Sequence, residues 1–428
     1  MGMPEGVMSW GRKPIMRLFP ASGAVALLIL LAFWPATVAW AEAPTLPAGT
    51  VLNLHLQAAI STKTSKQGQA TTANLAREVD VPGGIALPYG SFLTGTIEKC
   101  VQPTTADQRA ALLLSFGQVT IPNEGTFPVQ GHLTEVSNGR ETLLADGTIT
   151  GVLESEAPVS MLSGVLQKLG GVNPTVNDQI EKQKISQVNT AIEFPAGTDI
   201  QFTLSAPLIL KHVVASAGPG QLPANLRASV QNVLADAPKR AVNKMNRPGD
   251  PINLVFIGTA QEIEQAFTHA GWMEPKKKNQ QSVWKTAQAV MNNDGYGAAP
   301  VSDLFLFGHK EDLAFEKTLN TFNKRHHLRL WQAPGSAPDG RPIWLGAATH
   351  DIGLDIHPGV VSHATDPNLD DERAQVGADL FLAGDVEAAD LVAPPNPLSS
   401  GMTATGGAWH TDGRVIVIEV KPGSSTPL

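Results

Sequence analysis

One turn, repeated with little change, does most to limit what this chain can fold into. Leu46-Pro47-Ala48-Gly49-Thr50, Leu87-Pro88-Tyr89-Gly90-Ser91 and Phe194-Pro195-Ala196-Gly197-Thr198 share the same punctuation. Proline presets φ for the turn and glycine relieves it, so each works as a tight turn feeding a strand. After the first comes Val51-Leu-Asn-Leu-His-Leu56, and after the third Ile200-Gln-Phe-Thr-Leu204, both alternating apolar and polar residues. Period-two alternation is the mark of a strand buried on one face. Between the turns lie Asn74 to Val79, Ala111 to Phe116 and Thr126 to Val129, each short, β-prone and bounded by Gly, Pro or Asn. Residues 46–210 are therefore expected to form a β-rich sandwich or barrel-like domain. One stretch departs from the pattern. Val159 to Leu169 and Asn177 to Asn189 have helical spacing, separated by Gly170-Gly171 and Pro174, which predicts a helical insertion over 159–189. His55 shares the polar side of its strand with Asn53 and receives no role.

The order of these turns resembles the TrbI-like β-barrel domain of type IV secretion outer-membrane core complexes. The resemblance is carried by Pro47 to Thr50 before a strand, Leu87 to Ser91 before Gly95, and Arg109 before the Leu112/Leu114/Phe116 strand and Ile121-Pro-Asn-Glu-Gly125. A helical insertion and a final Pro195-Ala-Gly-Thr198 strand complete it. It implies a barrel-like module, and in that family helices between strands can reach the outer membrane. A pore or secretion role does not follow from a shared fold.

Residues 211–248 read as a connector, with flexible Ala217-Gly-Pro-Gly220, a short helix over Pro223 to Asp236, and Arg247-Pro-Gly249 at its end. A second domain is expected over 249–421. It opens with the buried-strand run Ile252 to Ile257, then Thr259 with Glu262 three residues later, a capping box for a helix that stops at Gly271. Helices are predicted over Ser282 to Met291, Leu313 to Phe322 and Pro367 to Leu382. Strands are predicted at Leu304 to Phe307, His326 to Trp331, Ile343 to Leu354 and Val415 to Val420, the middle two paired across the Pro334 to Gly340 turn. The fold class is thus mixed: a β-rich N-terminal domain, then an α/β (α+β) sandwich. GxGxxG and GxxxxGK[ST] are absent, so Gly258-Thr259 is not a nucleotide loop.

Arg12, Lys13 and Arg17 precede an uncharged run from Ala21 to Ala41 that ends in Pro35 and Ala39-Trp40-Ala41. Residues 1–41 read as a signal peptide cleaved after Ala41, with a single-pass membrane anchor as the alternative. Either places the rest in the periplasm or cell envelope, with membrane association through this segment. Cys100 is the only cysteine, so no intrachain disulfide or cysteine metal site exists, and its strand suits a small buried hydrophobe. A net charge of -8 without a basic stripe excludes a nucleic-acid partner.

The chemistry concentrates between Arg325 and Arg373, which hold five of the eleven histidines. Arg325-His326-His327-Leu328-Arg329-Leu330-Trp331 is followed by Ala348-Thr349-His350-Asp351, His357, His363-Ala-Thr-Asp366 and Asp370-Asp-Glu-Arg373. Imidazoles and carboxylates bind transition metals and move protons near neutral pH. Strand alternation puts His326, Leu328 and Leu330 on one face and His327, Arg329 and Trp331 on the other, leaving one histidine to meet His350 or Asp351 on the next strand. Candidate metal ligands for a divalent ion are His326, His327, His350 and His363. Candidate catalytic residues are His350, Asp351, His363 and Asp366. Arg325, His326, His327, Trp331, Trp344 and Arg373 are candidates for ligand binding, the tryptophans serving equally as core. The acids at Asp366 and Asp370 to Glu372 are also what a helix dipole favours at its N-terminus, and Asp370 can pair with Arg373. His357, before Pro358-Gly359, is expected in an exposed turn.

The same motifs, with Asp250-Pro-Ile-Asn-Leu-Val-Phe-Ile-Gly258, Ala270-Gly-Trp272 and Pro300 to Phe305, resemble the LssY-like C-terminal domain over about residues 245–385. Some members of that family append it to a membrane phosphatase of the type 2 phosphatidic-acid class. This chain lacks that class's Ser-Gly-His and Lys…Arg-Pro signatures, so phosphatase activity is not carried over. GxSxG is absent as well. The expected function is an exported envelope binding or assembly factor whose His/Asp/Arg surface engages an envelope protein or small ligand. The alternative is a metal- or His-assisted hydrolase acting on an envelope substrate such as a lipid phosphate.

Overall fold

The alternation read from the sequence becomes a curled antiparallel sheet in the computed structural model. Its long strands are β1 (Val51–Leu56), β2 (Ala70–Leu75), β3 (Phe92–Val101), β4 (Ala111–Ile121), β5 (Gly131–Val136) and β6 (Asp199–Leu204). The sheet has nine strands and runs β5-β6-β1-β2-β3-β4 before two short strands at Ile149–Thr150 and Thr142–Leu143; Gly125–Pro128 also pairs with β4. β5, at one end, returns beside β4, so the sheet is nearly closed as a barrel. Leu52, Leu54 and Leu56 of β1 and Ile200, Phe202 and Leu204 of β6 point inward and are essentially inaccessible. Their alternates, His55 and Asp199, are paired cross-strand on the outside.

The structure describes residues 43–105, 107–153, 156, 189–275, 303–321, 324–357, 360–403 and 406–423. The expected leader (1–41), most of the helical insertion (through 188), the Ser282 to Met291 helix and the Pro358-Gly359 turn lie outside them. From Ala43 onward the chain is one compact unit. Among the described residues no helix is long and apolar enough to cross a membrane.

The second region mixes helices and strands. Its main sheet has seven strands: β7 (Leu254–Ile257), β8 (Leu313–Lys317), β9 (Arg325–Ser336), β10 (Pro342–His357), β11 (Val360–Thr365), β12 (Val386–Val392) and β13 (Val415–Val420). The order is β8-β9-β10-β7-β13-β12, with β11 also on β10, and only β7 and β13 are parallel. Among the described residues three helices pack against it: α1 (Ala224–Asp236), α2 (Ala260–His269) and α3 (Leu369–Leu382). The capping box at Thr259 and Glu262 forms in both directions and starts α2 as the sequence implies. α1 and the short strands Arg240–Val242 and Pro248–Pro251 occupy the segment expected as a connector, and Leu226, Val230, Leu234 and Ala241 join the second core.

One element differs outright. Leu313 to Phe322 was expected to be helical, yet Leu313–Lys317 is a strand running antiparallel along β9 from Leu330 to His326. Pairing overrides the weak helical spacing: Phe315 enters the core, while Glu316 and Lys317 find buried charged partners. Trp331 and Trp344 are core residues, 0% and 4% exposed, and Trp344 Nε1 donates to the Gly258 carbonyl at 2.9 Å.

Two glycines test how tightly the near-barrel closes. At Gly95, beside a bulge between β3 and β4, an added Cβ would sit 1.9 Å from the Ser115 carbonyl oxygen. At Gly117 it would meet nothing within 4 Å. Gly95→Ala is expected to lower stability by about 1–3 kcal/mol through backbone displacement. Gly117→Ala should stay within about 0.5 kcal/mol. Urea unfolding of the two variants checks this, and equal effects would contradict the description of this sheet.

Candidate functional site

The outer face of the near-barrel meets the β9/β10 face and α3 of the second region, and between them lies a cleft of about 470 Å³. Its walls come from both sides: Asn53, Arg77 and Glu135 from the first, His326, His350 and Glu372 from the second. Two clusters of ionisable groups are built into this junction.

The first cluster is a quartet. Asp199 on β6 and His55 on β1 form an ion pair, and Asp379 on α3 lies 3.4 Å from the same His55 Nε2. Lys317, from the strand that sequence had assigned to a helix, sends Nζ to Asp199 Oδ2 at 2.8 Å and to Asp379 Oδ2 at 3.0 Å. Trp272 Nε1 and Gln375 Nε2 donate to Asp379 at 2.8 and 2.9 Å, and Gln375 also reaches Asp199 at 3.0 Å. Each side contributes one acid and one base. Burial opposes charge on His55, but the two carboxylates outweigh it and raise its pKa to about 9. Burial likewise opposes ionisation of Asp199, and Lys317 with His55 holds it well below the usual carboxylate range. His55, Asp199 and Asp379 have ligand atoms close enough together to hold a metal ion. The Lys317 ammonium already bridges both carboxylates, however, so a resident cation fills that role.

The second cluster has no such lysine among the described residues. His326 on β9 and His350 on β10 are register partners, and their rings stack with centroids 4.1 Å apart. His326 Nδ1 lies 2.6 Å from Glu372 Oε2, while Glu372 Oε1 is buried without a hydrogen-bond partner among the described residues. The donor atoms of His326, His350 and Glu372 all lie within 4.8 Å of one another, so this cluster can coordinate a metal ion. Burial and the neighbouring His326 push the His350 pKa down to about 2, so its imidazole is neutral and has a lone pair to offer. Burial opposes charge on His326, yet Glu372 prevails and raises its pKa. Two imidazoles and one carboxylate make a donor set suited to zinc or another divalent transition ion, with coordination positions left for water or substrate.

The histidines singled out by sequence are divided by the strand pleat. His326 and His350 face the cleft; His327 faces the other way with Arg325, where Asp351 Oδ1 lies 3.2 Å from His327 Nε2. Arg325 donates to Glu316 at 3.1 Å and to Asp351 at 3.3 Å, and His363 Nδ1 is 3.6 Å from Asp351. This second network holds Asp351 ionised; against burial, His327 lowers its pKa. His326, His327, His350 and His363 therefore do not converge on one point. Asp366 lines the cleft beside His350, and its backbone N–H donates to the His350 carbonyl at 2.8 Å. Arg373 is turned away to Asp412, at 2.7 and 3.0 Å, and pairs with Asp370 at 3.0 Å as its spacing suggested. His357 ends β10, paired with Val360.

Sequence reading missed Glu372, His55, Asp199, Lys317 and Asp379. Glu372 was explained by the helix dipole, and Asp370 and Asp371 do fit that account. The overlooked signal is the spacing of Glu372, Gln375 and Asp379, which is one stripe of α3, and all three are buried. A polar stripe on the buried face of a helix needs partners.

The quartet has a pH signature. His55 is raised in the folded state, so its contribution is complete below about pH 6.5 and is lost as pH rises through about 9. Asp199 and Asp379 act oppositely: their contribution is present above about pH 4 and is lost on acidification through their depressed folded values. His55→Gln is expected to flatten the decline in denaturation midpoint between pH 7 and 9 and to lower the midpoint at pH 6. An unchanged slope would contradict the assignment.

No curated protein matches the chain. Among solved structures, ComB10 of the Com type IV secretion system of Helicobacter pylori is similar at 14% identity, over 38% of this chain and 88% of that one, with a TM-score of 0.23. Residues 234–415 match the family model described as the LssY C-terminus, a span that contains His326, His350 and Glu372, and this C-terminal part of the chain resembles that family.

Proposed function

We propose that the protein is a metal-assisted hydrolase whose active site is the cleft between the near-barrel and the LssY-like region. The observation that carries this reading is the convergence of His326, His350 and Glu372 within 4.8 Å on the wall of a cleft large enough for a small substrate. It favours the hydrolytic alternative over a purely binding or assembly role. A bound divalent ion would polarise a substrate oxygen and lower the pKa of water. His326, His350 and Glu372 would hold it. Glu135, on β5 across the cleft, is kept above the usual carboxylate range by burial, which suits a group that takes and returns a proton. Asp366 lines the same space.

The substrate class we favour is a phosphate ester of an envelope lipid. Arg77 offers a guanidinium to an anionic group, and Val51 and Ile352 are apolar lining residues left 43% and 42% exposed. A cleft with a charged floor and apolar wall suits an amphiphile. Export to the envelope rests on the leader read in residues 1–41, which also makes an envelope substrate the natural one.

Protein purified without a histidine tag is expected to carry about one divalent ion per chain. His350→Ala and Glu372→Gln should each lose that ion and abolish turnover of a phosphate ester. Metal-free protein after incubation with zinc, manganese or cobalt, or turnover unchanged by both substitutions, would contradict the proposal. Stoichiometric metal with no turnover of any ester would return the cleft to the binding role.

A further inference from the structure

Both histidines of the candidate metal cluster are tied at the same ring nitrogen to consecutive residues of one turn in the opposite sheet. Ser137 Oγ lies 3.3 Å from His326 Nε2, and Asn138 Oδ1 lies 2.9 Å from His350 Nε2. A neutral imidazole has one N–H and one lone pair, and an amide carbonyl oxygen only accepts. The Asn138 contact therefore requires the His350 proton on Nε2 and leaves the lone pair on Nδ1. His326 is oriented alike, Nε2 toward Ser137 and Nδ1 toward Glu372, 2.6 Å away, where a carboxylate accepts the Nδ1 proton that a bound ion would replace. Metal-ligating histidines commit their second nitrogen in this way, which fixes tautomer and ring orientation.

The turn is firmly held. Asn138 is 4% exposed and has a φ of 56°, a left-handed conformation that asparagine tolerates better than most side chains. Lys324 Nζ donates to the Gly139 carbonyl at 3.0 Å, and the Arg140 N–H donates to Asn320 Oδ1 at 2.9 Å. These bonds pin the turn to the same region that carries both histidines.

We infer that the Ser137-Asn138 turn is the outer shell of the metal centre, orienting both rings so that Nδ1 of His326 and of His350 faces a divalent transition ion. This rests on the metal reading proposed above. It makes the near-barrel part of the site: the histidines come from one sheet and their orientation from the other. Ser137 and Asn138 are positioning residues and do not touch the ion.

The test uses the full exported chain without a tag, and reads Zn²⁺ affinity by competition with a chromophoric chelator. Asn138→Gly removes the acceptor and suits the positive φ; it is expected to weaken Zn²⁺ binding about 10- to 100-fold. Asn138→Asp restores an acceptor in the same place and should recover native affinity to within a few-fold. Nitrogen-15 imidazole spectra of the metal-free protein give a readout that a merely structural role would not move. The native and Asn138→Asp proteins should show His350 as the Nε2–H tautomer, and Asn138→Gly should lose that preference. Native affinity in Asn138→Gly, or an Nδ1–H tautomer of His350 in the native protein, overturns the inference. Should Asn138→Gly fail to fold, the native tautomer and the Asn138→Asp affinity still decide. His350→Ala separates the two claims: if it binds Zn²⁺ as the native protein does, the metal reading itself fails.

Discussion

Everything at the junction depends on one buried quartet of charges. Asp199 and His55 arrive on neighbouring barrel strands, Lys317 on the edge strand β8, and Asp379 on α3. Taking such groups out of water is costly, and a buried ion pair by itself is weak evidence of net stability. What it does supply is selectivity of arrangement. Any shift between the two sheets would leave a buried charge unpaired, at a cost of about 3–5 kcal/mol. The cleft exists because the sheets are held in this one register: His326 is the register partner of Lys317, and Glu372 shares a buried stripe of α3 with Asp379. Arg77, bonded to the Asp371 carbonyl and to Gln375 at 2.9 and 3.0 Å, extends the same junction along α3.

The division of labour between the two clusters follows from their cations. In the quartet a lysine and a histidine balance two carboxylates, so the group is complete as it stands. Around Glu372, among the described residues, the balance is made by His326, and one carboxylate oxygen is left unsatisfied. A buried acceptor without a partner costs free energy, and a ligand that supplies positive charge relieves it. The neutral His350 beside it adds a lone pair. Similar residue types thus give a structural lock in one place and a coordination site in the other.

Much of the fold was legible because its signals are local. The Pro-x-Gly turns, the period-two strands and the Thr259/Glu262 capping box each act within a few residues, and each appears where the sequence puts it. Leu313 to Lys317 was not legible, because its strand state is imposed by pairing with β9 rather than by its own pattern. The site was half legible. The His326/His350 meeting follows from strand register, which alternation and one turn nearly determine. Glu372 was hidden by a sufficient local explanation, the helix dipole. His55 and Asp199 were hidden because an outward polar residue on a strand ordinarily faces water, and only the apposition of a second sheet turns it into a buried partner. The division of His327 from His326 is the reverse case: neighbours in sequence are separated by the pleat.

The central claim is that one ion position lies between His326, His350 and Glu372, oriented from across the junction. The most direct measurement is an anomalous difference map from crystals of the protein loaded with Zn²⁺, collected above and below the zinc edge. One strong peak is expected, bonded to Nδ1 of His326, Nδ1 of His350 and a Glu372 oxygen, with the Lys317 quartet free of metal. A peak among His55, Asp199 and Asp379 in place of Lys317, or none in the cleft, would contradict it.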